Sequence, residues 1–345
     1  MAEHQVNTDN KLIISIDWLS FTFHSDYTPE DVIEFMGLNV TDFREMPNGA
    51  NGYKHMKKYE NISVLYDGAS NMGIHVNITG SSVGTVICAY KESIAYNTPF
   101  GKAYIDLDKN DTVLSRFFVD MFHFGGTISR LDLAIDDYCC NYYSLDEIEK
   151  KLVSGRVITK WKSSRELKEK INATSEKIGH TLYFGSAQSD IQLRIYDKQL
   201  ERNKGLEPGN ENYIEFPWVR WELELHKDRA NEIGRLLSSG FSVGTVAVGV
   251  LAHYFRVIRL DDSNKSRCSS EKKWQMFIDN VQALKITVQK RERTLEEEIR
   301  VFEMQQGRKV AKLFYACGGN SDYFADLTSR YEHKLTPRDL EQLGL

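Results

Sequence analysis

Apolar and polar residues alternate over short runs through the first two thirds of the chain and recur at helical spacing beyond them. Leu12 to Phe23 (LIISIDWLSFTF) is rich in β-branched and aromatic residues and predicts a strand. Thr28-Pro29-Glu30-Asp31 supplies an N-cap, a proline at the first helical position and a capping-box acid, so a helix should run to about Gly37. Strands are predicted at Ile62 to Asp67 and at Gly73 to Thr79. The same order then returns, with a strand at Ser129 to Asp136 and a helix capped by Ser144 and Glu147 that ends near Gly155. Strands at Thr181 to Phe184 and Ile191 to Lys198 follow.

The two series share a spacing. Leu65-Tyr66 through Gly68 to Ile74 matches Leu182-Tyr183 through Gly185 to Ile191, and Asp17 falls where Asp132 falls. This pattern predicts an internal duplication of a strand-helix-strand-strand unit, spanning about 12–120 and 125–228. In that register Gly73 to Thr79 answers to Asp190 to Tyr196, and Thr79 stands where Tyr196 does. A strand at Val219 to His226 closes the region. Beyond it, Gly244 to Ile258 predicts a core helix, Trp274, Phe277, Ile278 and Val281 keep helical spacing, and Val288 to Gln306 is a charged amphipathic stretch. Thr336-Pro337-Arg338-Asp339 should cap a last short helix. The expected organisation is a tail at 1–11, a sheet-rich domain at 12–228 and a helical region at 229–345, in an α+β fold.

Composition narrows the function classes. The 345 residues are 41% hydrophobic and 27% charged, enough to bury a sizeable core. No apolar run reaches the ~18 residues of a membrane span and the first residues carry no signal-peptide core, so a cytoplasmic location is expected. Five cysteines without a CxxC pair read as reduced thiols. A net charge of −5 neither supports nor excludes nucleic acid, because phosphates respond to local potential. No P-loop string is present, which argues against ATP hydrolysis.

Three strands carry chemistry on one face. Asp132 and Asp136 share a face in RLDLAID, Arg220, Glu222 and Glu224 share one in VRWELEL, and Gln192, Arg194, Tyr196 and Lys198 line up in IQLRIYDK. Any one of these rows could be the solvated side of an antiparallel sheet. Together they describe carboxylates for a hard metal ion beside a tyrosine flanked by cations that would favour the phenolate. Lys160 to Lys170 (KWKSSRELKEK) could grip phosphates or read a hairpin, or it could be a solvated helix face. His75 and His226, lone strand histidines, are more often structural than ligating.

The strings RLDLAIDD, YFGSAQSDIQLRIYDKQLERN and WVRWELELHKD resemble the Rep_trans family, which contains rolling-circle plasmid replication initiators and MobT- or NicK-type relaxases of conjugative elements. The resemblance covers about Gly125 to Asp228. It implies a metal-dependent endonuclease that nicks one DNA strand and forms a 5′-phosphotyrosine link through Tyr196. The family resembles the wider HUH nickases, but no His-hydrophobic-His string occurs here, so carboxylates are the expected ligands. Asp132, Glu222, Glu224 and Asp136 are the candidates for Mg²⁺ or Mn²⁺. Arg194 and Lys198 are expected to assist Tyr196, and Lys160, Lys162, Arg165, Lys168 and Arg220 to contact DNA. Expected partners are a replication or transfer origin, a host helicase and a second copy of the chain. The fold implied is a largely antiparallel, pseudo-duplicated sheet of HUH-nickase-like or RRM-like halves, with helices on one side and a helical C-terminal extension. Two other classes stay open: a non-catalytic DNA-binding module, and a nuclease that activates water.

Overall fold

The computed structural model describes residues 12–24, 27–96, 110–170, 177–279, 307–335, 340 and 343. The first half contains β1 (Leu12–Phe23), α1 (Pro29–Phe35), β2 (Arg44–Glu45), β3 (His55–Tyr59), β4 (Ile62–Tyr66), β5 (Ile74–Thr79), α2 (Ser82–Tyr96) and α3 (Asn110–His123). The second contains β6 (Gly126–Tyr138), α4 (Leu145–Val153), β7 (Val157–Thr159), β8 (Ser164–Lys170), β9 (Lys177–Phe184), β10 (Ile191–Asp197), α5 (Lys198–Arg202) and β11 (Trp218–His226). There follow α6 (Lys227–Ser238), α7 (Val243–Tyr254), β12 (Phe255–Val257) and α8 (Lys272–Ile278).

Alternation determines what each strand buries. In β5, Ile74, Val76 and Ile78 are buried while His75, Asn77 and Thr79 are half-buried on the other face. The same rule puts Leu19, Phe21, Leu131, Leu133, Leu193, Ile195 and Leu223 into one continuous core that the long helices cover. Capping fixes the helices in place. The Thr28 hydroxyl accepts the Asp31 N–H and the Asp31 carboxylate accepts the Thr28 N–H, and Gly37 then leaves the helix at a φ of 74°. A side chain at Gly37 would meet the backbone of Ala89 at 2.4 Å, so no other residue fits that turn.

Ten strands form one antiparallel sheet in the order β2-β3-β4-β5-β1-β6-β11-β10-β9-β8. From the central β1–β6 pair outward, each half runs through its last strand and then backwards through the earlier ones. This order corrects the expected register. β5 lies against β1, whereas β10 is separated from β6 by β11, so the positional partner of β5 is β11 and that of β10 is β4. The matched spacing was that of a hairpin, and hairpins β4–β5 and β9–β10 have similar turns without equivalent places. Two further expectations change. Ser164–Lys170 is an exposed edge strand, not a helix face, and the helix expected to reach Ile258 stops at Tyr254, where Phe255–Val257 pairs with β7.

The chain divides into two compact units at Ile286, not at 228. α6, α7 and α8 contribute Ile233, Val246, Leu251, Trp274 and Phe277 to the sheet's own core, which explains why the boundary lies later. In the second unit residues 307–316 are helical and Asp322–Tyr331 forms another helix. Val281, Val288 to Gln306 and the cap at Thr336 to Asp339 lie outside the described residues. No helix among the described residues is long and apolar enough to cross a membrane.

Candidate functional site

The uncovered face of the central strands is polar yet buried. Glu222 is 0% exposed, Asp132 1% and Asp136 2%, which rules out the simple solvated-face explanation for these rows. Buried charges must be paired, and here each is. Tyr196 donates its hydroxyl to Glu222 Oε2 at 2.8 Å, and Arg194 binds Glu222 Oε1 and lies 2.7 Å from Glu224 through its Nε. Strand register makes this meeting inevitable: Arg194 pairs with Glu222, Tyr196 with Arg220, and Glu224 with Asp132 across β10, β11 and β6. Arg130 grips Asp132 through Nε and Nη2 and reaches Glu224 at 3.4 Å, with its guanidinium 3.9 Å above the Trp18 ring.

The second cluster is separate. Arg220 donates to Asp136 at 2.7 and 2.9 Å and to Asp17 at 2.6 Å, and Trp218 Nε1 adds a bond to Asp136 at 2.7 Å. The β1 register slips between Ile16 and Trp18, which lets Asp17 reach this face. Asp136, expected as a metal ligand, is therefore committed to Arg220 and Trp218, further along the same β6–β11 pair than the Asp132 group. Arg220, expected to contact DNA, is 7% exposed and carries two carboxylates.

Electrostatics also corrects the expected tyrosine activation. Burial raises the Tyr196 phenol well above its ordinary value, and the Glu222 charge raises it further. Arg220 opposes this shift, but Arg194 is already neutralised by Glu222 and Glu224. Lys198 opens α5 instead of ending β10, and its Nζ still comes within 3.5 Å of the Tyr196 oxygen while pairing with Glu201. Beside these groups a cleft of about 180 Å³ is lined by Tyr183, Arg194, Tyr196, Glu201 and Lys204.

The acids match a divalent cation in donor type, while their oxygens are bonded to Arg130, Arg194 and Tyr196 in this structure. Among the described residues, Asp132, Glu222 and Glu224 are paired with the guanidinium groups of Arg130 and Arg194, three carboxylates to two arginines, with His226 at the edge of Glu224. Burial, and then the neighbouring glutamates, push the Asp132 carboxyl up to about 7. A hard cation would relieve that crowding, and oxygen ligands suit Mg²⁺ or Mn²⁺.

The basic segment splits by face. Arg165 lies 4.6 Å from the Tyr183 ring and shares the row of Tyr183 and Arg194, toward Tyr196. Lys162, just ahead of this strand, is exposed. Lys168 pairs with His180 in register and binds Glu149 and Glu166 on the helix-covered face, so it cannot share a DNA surface with Tyr196. Lys160 meets His253 at 2.7 Å. His75 is bonded to Thr22 and Asn77, a structural role, whereas His226 stands 3.7 Å from Glu224. Arg130, which holds Asp132, is a site residue that the strand patterns did not single out. Its position two residues from Asp132 on the same face was the available clue.

Residues 13–94 match the rolling circle replication initiation protein N-terminal domain, and residues 126–327 match the replication initiation factor family. The chain is 24% identical over 295 residues to the protein named "Putative DNA relaxase NicK" of Bacillus subtilis (strain 168), covering 84% of this chain and 77% of that one. It is similar to the solved rolling circle replication initiator protein from Geobacillus stearothermophilus at 29% identity and a TM-score of 0.64, covering 80% of this chain and 99% of the other. With more than half its length matched and the same fold as a solved initiator, the chain belongs to the replication initiation factor family.

Proposed function

We propose that the chain cuts one strand of origin DNA with Tyr196 and remains joined to the 5′ phosphate. The observation that carries this reading is the hydrogen bond from Tyr196 to Glu222, with Arg194 and Lys198 on either side. Such a buried phenol is inert until its proton has somewhere to go. The Tyr196 oxygen attacks phosphorus, its proton passes to Glu222 Oε2, and the bond to the 3′ oxygen breaks. That oxygen takes a proton from solvent and leaves as the free 3′ hydroxyl. Arg194 and Lys198 neutralise charge on the phosphate oxygens. Asp132 and Glu224 would hold Mg²⁺ or Mn²⁺, which supplies Lewis-acid polarisation of the phosphate when bound. Origin DNA is the proposed partner, approached from the Arg165 and Lys162 side. A host helicase and a second copy of the chain are further proposals that rest on family membership.

A denaturing gel of end-labelled origin DNA tests the reading. Wild type should leave a protein-linked 5′ end in Mg²⁺ or Mn²⁺ and little product in excess chelator. Tyr196→Phe should lose adduct and cleavage by more than about a hundredfold while origin binding is kept, since the ring remains and one hydroxyl is lost. Cleavage with a free 5′ phosphate would instead favour activated water, and no cleavage under any condition a binding module.

A further inference from the structure

A second cluster of ligand-type side chains lies on the opposite face of the sheet. Asp146 and Glu149 stand three residues apart on one side of α4, where successive turns bring them together. Beneath them is His180 of β9, two residues from Leu182 and in the same row, on the face that α4 covers. One ligand atom from each of Asp146, Glu149 and His180 lies within 4.8 Å of the others. Tyr196 points away from this row, since it is Ile195 that pairs with Leu182 on the covered face.

The histidine makes the cluster more than an acidic patch. Its side chain is 0% exposed, and its Nε2 is 2.6 Å from Glu166 Oε1. The carboxylate can accept only an N–H, so the proton sits on Nε2. In the neutral ring Nδ1 is then a lone pair. It is buried and has no hydrogen-bond partner among the described residues. What it faces is the Asp146 carboxylate at 3.7 Å, another electron-rich group. A buried unpaired nitrogen aimed at carboxylates costs free energy unless a cation stands between them.

We propose that His180 Nδ1, Asp146 and Glu149 bind a divalent transition-metal ion, separate from the proposed cation at the Tyr196 face, that fastens α4 to the sheet. A nitrogen with two carboxylates suits Mn²⁺ or Zn²⁺ better than Mg²⁺. A Glu166–His180–metal relay fixes the tautomer in the way such sites require. Lys168, 2.9 Å from Glu149, and Lys177, 3.8 Å from Asp146, now neutralise part of the charge. Both lysine side chains are at least a third exposed and can swing out as the ion enters past the exposed Asp146.

The test uses the full chain and Mn²⁺ as the probe, read by electron paramagnetic resonance. Bound Mn²⁺ should show the nitrogen coupling of one directly bound imidazole. The coupling should vanish in His180→Gln and in Asp146→Asn combined with Glu149→Gln, and persist in Glu222→Gln and His226→Gln. Glu166→Ala should weaken the nitrogen-coupled site about 10–100-fold. Loss of the coupling in His226→Gln, its survival in the double carboxylate variant, or its absence from wild type would overturn the proposal. If His180→Gln does not fold, the carboxylate pair, exposed enough to tolerate replacement, decides the question. None of these readouts depends on nicking.

Discussion

At the residue scale, the polar face shows how charges survive burial. Arg220 joins Asp136 and Asp17, which come from two other strands, and all three would be costly alone. Arg220→Ala leaves Asp136 buried without its partner and should destabilise the fold by roughly 3–5 kcal/mol, seen as a lowered denaturation midpoint. Methionine at the same place leaves the same charge stranded and should be no better, whereas joint replacement of Arg220, Asp136 and Asp17 by apolar residues should recover much of the loss. His75 supplies a pH dependence. Burial lowers its pKa, with Asn77 opposing the shift, so the fold disfavours the charged ring. The unfolded chain takes up the proton first as pH falls below about 6.5, and the stability present above that value is lost on the acid side. His75→Gln should flatten the fall in melting temperature between about pH 7 and 5. The difference between the two curves isolates His75, because His226, also lowered, remains in both.

At the element scale, the junction of β10 and α5 determines where Lys198 points. The Asp197 carboxylate accepts the Leu200 N–H at 2.9 Å and ends the strand one residue after Tyr196. Without that cap Lys198 would continue the strand, and nothing would hold its ammonium at the tyrosine oxygen. Asp197→Ala should cost about 1 kcal/mol of stability. Nicking should fall about tenfold with origin binding nearly unchanged, and a single-turnover assay separates the two. Equal losses of binding and cleavage would mean that Lys198 contributes to affinity instead. Element order likewise explains the failed register between Gly73 to Thr79 and Asp190 to Tyr196. Hairpin spacing is a local property, while a strand's neighbour depends on which edge is free when it arrives.

At the scale of the whole molecule, the sheet is not finished at His226. Trp221 on β11 packs against Trp274, Phe277 and Phe255 at centroid distances of 6.0, 5.1 and 5.5 Å, so the core needs α8 and β12. Truncation after Asp228 should give an insoluble or molten chain. Truncation after Ile286 should keep a cooperative thermal transition. Loss of cooperativity in the longer fragment would place residues of the second unit in the same folding unit.

Sequence by itself determined the long central strands, the caps of α1 and α4 and the face on which their polar side chains lie, because alternation and capping are properties of neighbouring residues, whereas the short or edge strands β3, β7, β8 and β12 carried no such signal. RLDLAID, IQLRIYDK and WELEL already aligned Asp132, Arg194, Tyr196, Glu222 and Glu224 on one side of their strands, and the family resemblance was legible in the same strings. Tertiary structure decided what those side chains meet. Only the β6-β11-β10 order puts Glu222 against Tyr196, sends Asp136 to Arg220 and turns the expected lowering of the phenol pKa into a rise. His180 and Asp146 lie far apart in sequence and meet because α4 crosses β9. Desolvation and cross-strand pairing arise only when distant segments come together, and no local pattern in the chain encodes them.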